Sequence, residues 1–127
     1  MKNQVESRQR VLVVGKESRI GRVCDEVLTR SGFSVDVVPD GAPAVSSILG
    51  NRYDLCILDM FAPGIDGNGL YDWLNNYQPE PVRGAIITTG DISGDYRPAL
   101  AADSRHVFLQ KPFTPEELLA AVEMALN

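Results

Sequence analysis

Five short apolar runs, each followed by a segment of helical periodicity, constrain the fold of this chain more than any other feature. Val11-Leu12-Val13-Val14, ended by Gly15, is the clearest: a short β-branched run of this kind reads as a strand buried on both faces. Ser18 offers a helix cap, and Ile20, Val23, Cys24, Val27 and Leu28 follow at helical spacing until Ser31-Gly32 stops the helix. Phe33 to Val38 reads as a second strand, closed by Pro39. Asp40 caps a second helix with Ala44, Val45, Ile48 and Leu49 on its apolar face, ended by Gly50-Asn51. Tyr53 to Leu58 reads as a third, central strand that ends in Asp59.

The turn-rich stretch from Met60 to Gly67 follows, then Leu70, Trp73 and Leu74 mark a third helix. Gly84 to Thr89 is a fourth strand, broken by Gly90-Asp91. Tyr96 to Ala102 suggests a short fourth helix, and His106 to Gln110 a fifth strand. Thr114-Pro115-Glu116-Glu117 carries a helix start with a cap, a proline in the first turn and a glutamate three residues after the cap. Leu118, Leu119, Val122 and Leu126 give that last helix its buried stripe. Five alternating strand–helix units imply a parallel sheet with helices on both faces, an α/β sandwich of three layers.

Residues 1–9 read as a polar lead and residues 10–127 as one domain, which fits a chain of 127 residues. The lead fits a natural start or an inter-domain linker. A net charge of -5 opposes non-specific binding to nucleic acid or anionic membrane, since both are polyanions. No apolar stretch approaches the roughly 18 residues of a membrane span, and the N-terminus has no apolar signal core, so a cytoplasmic setting is expected. Cys24 and Cys56 fall at core positions and are read as reduced, buried thiols.

In a doubly wound sheet the functional crevice lies at the carboxyl ends of the strands. That directs attention to Gly15, Asp59, Thr89 and Lys111. A carboxylate, a hydroxyl and an ammonium would meet at one edge. Each alone could be a polar strand terminus reaching water; all three, with Lys111-Pro112-Phe113 and Pro63-Gly64-Ile65-Asp66-Gly67 in place, argue for a site.

These residues resemble the receiver domains of two-component response regulators over about residues 10 to 127. The resemblance implies a flavodoxin-like (βα)5 sheet of strand order 2-1-3-4-5. It implies that Asp59 accepts a phosphoryl group from a phosphohistidine on a histidine kinase or phosphotransfer protein. A carboxylate suits that role because it is ionised at neutral pH without help. Lys111 would pair with Asp59 and then with a phosphoryl oxygen, and Thr89 would bond another. Phe108 stands where the family has a switching aromatic; the plain alternative is an ordinary core aromatic of the fifth strand. Gly90 leaves room for phosphoryl access. A downstream protein target is implied, and homodimers are common in the family.

The sequence departs from the family pattern after the first strand. Two acidic residues that hold Mg²⁺ are expected there, and the chain has Gly15 and Lys16, followed by Glu17. Asp59 and the backbone carbonyl of Phe61 remain as ligands, and Glu17 joins them only if the loop shifts by one residue. Mg²⁺ binding is therefore expected to be weak or absent. Lys16 either enters the pocket beside Asp59 or extends into solvent.

Two functions compete: a receiver that still accepts phosphate, with weakened Mg²⁺ dependence, and a degenerate receiver that docks a partner without phosphorylation. An independent enzyme is disfavoured. A phosphatase with an aspartyl intermediate would want an aspartate where Phe61 stands, and Gly15 to Gly21 lacks the spacing of a Walker loop or dinucleotide fingerprint. His106 has no partner residues nearby in sequence that would make it a metal ligand. No output domain follows Asn127, so the chain is expected to be a stand-alone receiver or part of a longer regulator.

Overall fold

The computed structural model describes residues 9–15, 18–39, 41–59, 85–89, 107–110 and 112–126. They hold five strands, β1 (Arg10–Val14), β2 (Ser34–Val38), β3 (Leu55–Asp59), β4 (Ala85–Thr89) and β5 (Val107–Gln110). Three helices accompany them, α1 (Ser18–Arg30), α2 (Gly41–Gly50) and α3 (Pro115–Leu126). The expected helices around Leu70 to Leu74 and Tyr96 to Ala102 lie outside the described residues, as do Asp40, Gly84 and His106.

The strands form one sheet in the order β2-β1-β3-β4-β5, with every neighbouring pair parallel. This is the flavodoxin-like order implied by the resemblance to receiver domains. Side chains alternate across a strand, so consecutive apolar residues in β1, β3 and β4 feed two cores at once. On one face Leu12, Val14, Cys56, Leu58, Ala85 and Ile87 pack with Ala44 and Ile48 of α2. On the other face Val11, Val13, Leu55, Ile57, Ile86 and Leu109 pack with Cys24 and Leu28 of α1 and with Leu118, Ala121, Val122 and Ala125 of α3. Cys24 and Cys56 are both fully buried and belong to opposite faces, so the sheet itself separates the two thiols.

Helix ends follow local chemistry. Gly32 has φ of 98°, a conformation that a Cβ disfavours. It lets the Gly32 amide donate to Thr29 O at 3.1 Å and the Phe33 amide to Leu28 O at 3.0 Å, which satisfies carbonyls the helix would leave open. Phe33 and Leu28 then share one apolar cluster. At the start of α3 the Glu117 amide donates to Thr114 Oγ1 at 3.1 Å, and the Thr114 amide donates to Glu117 Oε1 at 2.9 Å. This reciprocal cap is the one read from the sequence.

Two expectations are corrected. Tyr53 is not part of the third strand, which starts at Leu55; Tyr53 precedes it, 2% exposed, because its hydroxyl reaches across to Asp36 of β2. Leu49, placed on the apolar face of the second helix, is 61% exposed, since Ala44 and Ile48 turn inward and Leu49 lies a step round the helix from that line.

α1 approaches β2 closely. A Cβ added at Gly21 would lie 2.9 Å from Val37 Cγ1. Gly21 is therefore the residue that lets this helix settle onto the sheet edge.

Candidate functional site at the strand carboxyl ends

The register of the sheet decides which residues share its carboxyl edge. Val14 stands beside Leu58, Asp59 beside Thr88, and Thr89 beside Gln110. Gly15, the residue after Val14, is next in line beside Asp59. Asp59 closes β3, Thr89 closes β4, and Phe108 stands beside Ile87 within β5. For Asp59, Thr89 and Phe108 the description extends to backbone position. Lys16, Glu17, Phe61, Gly90 and Lys111 lie outside the described residues. The sheet thus brings Gly15, Asp59 and Thr89 to one edge, as the strand order requires.

Gly15 is buried, and its amide donates to Val38 O at 3.0 Å. The backbone at this position continues the β1–β2 ladder, and the residue supplies no side-chain oxygen to the edge. Asp59 rises from the central strand, where Leu55, Cys56, Ile57 and Leu58 are all buried. This buried run fixes where the Asp59 backbone emerges at the edge of the sheet.

Burial pushes the Cys56 thiol up to about 12, so it carries no thiolate at neutral pH and offers no competing nucleophile.

Thr88 was passed over in the sequence. It is fully buried, and its Oγ1 donates to Leu58 O at 3.4 Å. The available signal was a hydroxyl interrupting the apolar run Ala85-Ile86-Ile87 one residue before the strand ends.

A second polar group, also missed, lies at the opposite end of the sheet. The Arg10 guanidinium sits 2.9 Å from Asp36 Oδ2 and 4.9 Å from the centre of the Tyr53 ring. The Tyr53 hydroxyl donates to the same Asp36 oxygen at 2.6 Å. The Arg10 amide donates to Asp54 Oδ2 at 2.9 Å and the Asp54 amide donates to Arg10 O at 2.8 Å. These contacts join β1, β2 and the approach to β3.

A parallel sheet of order 2-1-3-4-5, with an aspartate ending its central strand, defines a CheY-like domain of the flavodoxin type. The chain belongs to the response regulator receiver domain family, whose model matches residues 11–123. Among its relatives, Response regulator ArlR of Staphylococcus saprophyticus is 32% identical over 93% of this chain and 52% of that protein. DNA-binding response regulator MtrA of Mycobacterium tuberculosis is 30% identical over 94% of this chain and 51% of its own length. The chain therefore spans about half the length of these two regulators.

Similar solved structures include chemotaxis protein CheY4 of Vibrio cholerae, with a TM-score of 0.84 at 23% identity over 94% of this chain and all of that one. The receiver domain of sensor histidine kinase PA1611 of Pseudomonas aeruginosa, described with magnesium coordinated in its active-site cleft, gives 0.81 at 26% identity. It covers 94% of this chain and 98% of that one. Among the described residues no helix is long and apolar enough to cross a membrane.

Proposed function

We propose that this receiver domain takes a phosphoryl group at Asp59 from a phosphohistidine of a histidine kinase or phosphotransfer protein, with a weakened dependence on Mg²⁺. The observation that supports the proposal is the sheet register, in which Asp59, Gly15 and the end of β4 reach the same edge.

An Asp59 carboxylate oxygen attacks phosphorus and forms the acyl–phosphate bond. The phosphorus–nitrogen bond of the donor breaks, and its electron pair returns to the imidazole, which takes up a proton. Phosphoryl transfer is mostly positioning and neutralisation of charge on the equatorial oxygens. Lys111 supplies positive charge, and Thr89 donates a hydrogen bond to one of those oxygens. The new dianionic group then draws Thr89 toward it, and Phe108 repacks in response, which changes the surface offered to a downstream protein.

The family implies a magnesium ion at this edge. Mg²⁺ takes hard oxygen ligands in near-octahedral geometry, usually including carboxylates. Gly15 stands where the family places an acidic residue, and it brings no side-chain oxygen. Lys16 brings a positive charge instead. The residues present fit the ion poorly. Asp59 and the Phe61 carbonyl are the remaining ligands, joined by Glu17 only if the loop shifts by one residue.

Gly15 also favours a second reading, a pseudo-receiver that binds its protein partner without phosphorylation. Intact-mass measurement after incubation with acetyl phosphate, with and without Mg²⁺, separates the two. An adduct that forms in both conditions and vanishes in Asp59→Asn is the expected result. A folded wild-type chain that gains no mass under any condition, including with a phosphorylated histidine donor, would overturn the acceptor role in favour of the binding module. The setting proposed is the cytoplasm, where such donors act.

A further inference from the structure

We infer that Thr88 is a positioning residue for Asp59, acting through the peptide unit that joins Leu58 to Asp59; the inference rests on Asp59 being the phosphoryl acceptor. Three observations meet at this residue. Thr88 stands directly beside Asp59 in the β3–β4 register. It is the one polar residue among the described residues that is buried, at 0% exposure. Its Oγ1 donates to the Leu58 carbonyl at 3.4 Å.

The carbonyl of Leu58 and the amide of Asp59 are two ends of one planar group. A donor on the carbonyl oxygen therefore holds the orientation of the Asp59 amide and Cα as well. It also polarises the peptide, which makes that amide a stronger donor toward an anion nearby. The surroundings are apolar: Ile57, Leu58, Ile86 and Ile87 are all buried. A valine would match the shape of Thr88 and spare the chain the desolvation of a hydroxyl. Most β-strand cores use such a residue. The hydroxyl at this position is accounted for by what it touches, the Leu58 carbonyl in the peptide unit that leads into the acceptor.

The test compares wild type, Thr88→Val and Thr88→Ser in the full chain, with acetyl phosphate as the phosphoryl donor. Adduct formation is followed by intact mass over a range of donor concentrations. The Leu58 carbonyl and Asp59 amide resonances are followed by NMR without donor, and thermal unfolding checks that each variant is folded. Thr88→Val is expected to shift both resonances and to lower the maximal rate roughly twofold, the low end for one hydrogen bond, since this one is long. The half-saturating donor concentration should hold, and Thr88→Ser should restore rate and resonances. A folded Thr88→Val chain that matches wild type in rate overturns the positioning role while the acceptor role stands. A wild-type chain that forms no adduct, with this donor or a phosphohistidine, overturns both.

Discussion

The hydroxyl of Tyr53 donates a 2.6 Å hydrogen bond to Asp36 Oδ2, the same carboxylate oxygen that Arg10 reaches at 2.9 Å. One acceptor on an edge strand thus anchors the start of β1 and the approach to β3. Arg10 and Asp36 are each more than a third exposed, so their ion pair contributes under about 1 kcal/mol. The buried Tyr53 is the stronger member. Tyr53→Phe should cost about 1–2 kcal/mol in chemical denaturation at neutral pH.

The same phenol gives a pH signature. Burial, reinforced by the hydrogen bond to and the charge of Asp36, raises Tyr53 from 10.0 to about 12. Below pH 10 both folded and unfolded chains hold the proton, and the contribution is fully present. Between pH 10 and 12 the unfolded chain releases the proton while the folded chain keeps it, so stability falls as pH rises. The fall is at most about 1.4 kcal/mol per unit. Cys56 also titrates high, but it is common to wild type and Tyr53→Phe. The difference between their pH–stability curves isolates Tyr53. Parallel curves from pH 9 to 12 would contradict the assignment.

Cys56 should be chemically silent in the native chain. With its thiol pushed up to about 12 and no exposed surface, alkylation at pH 8 requires opening of the fold. The labelling rate should rise with denaturant in step with unfolding. Rapid stoichiometric labelling of Cys56 in buffer would show a local opening beneath β3.

The close approach of Gly21 to Val37 predicts a change of sign. Alanine at position 21 favours the helix by about 1 kcal/mol over glycine. Its Cβ, 2.9 Å from a stiff valine, forces the helix or the strand to move, and overpacking of this kind costs about 1–3 kcal/mol. Gly21→Ala should therefore destabilise the wild-type chain. In a Val37→Ala background the obstruction is gone, and Gly21→Ala should stabilise. A double-mutant cycle by denaturation gives the coupling, expected to exceed about 1 kcal/mol.

The cap of α3 should behave as two linked bonds. Thr114→Ala is expected to cost about 1 kcal/mol. Glu117→Gln should retain most of the stability, because an amide oxygen still accepts from the Thr114 backbone, whereas Glu117→Ala should not. Thermal unfolding of the three variants ranks them; equal losses for Gln and Ala would mean that charge, not acceptance, matters at this position.

Replacing the residues after β1 tests the metal argument directly. Gly15→Asp combined with Lys16→Asp supplies two carboxylates immediately after β1. The double variant should form the acetyl phosphate adduct with a steep Mg²⁺ dependence that the wild type lacks. Equal dependence in both proteins would mean that Asp59, Glu17 and the Phe61 carbonyl already suffice.

Strand and helix placement was legible because it rests on local pattern. Consecutive apolar residues in β1 and β3, Gly32 after α1, and Thr114 three residues before Glu117 each carry their meaning within a few positions. The features that escaped are those joined across the chain. Arg10, Asp36, Tyr53 and Asp54 are up to 44 residues apart and meet only when β1, β2 and β3 are side by side. Tyr53 looked like the first residue of an apolar strand because its partner, Asp36, is invisible to a window of that length. Leu49 looked like core by type, although its position beside Ile48 turns it outward. Thr88 was overlooked because Thr89, at the strand end, was the more obvious hydroxyl.

Arg10, Tyr53 and Asp54 stand at or before the amino ends of β1 and β3, and Arg10 and Tyr53 meet Asp36 midway along β2, away from Gly15 and Asp59 at the carboxyl edge. Fastening and chemistry are therefore assigned to separate addresses. Substitutions that harden the scaffold can accumulate at one pole without disturbing the reactive one. Conversely, a change at Gly15, beside the end of β3, leaves the contacts of Arg10, Asp36, Tyr53 and Asp54 intact. A lineage built on this sheet can rewrite its response to signal without first relearning how to fold.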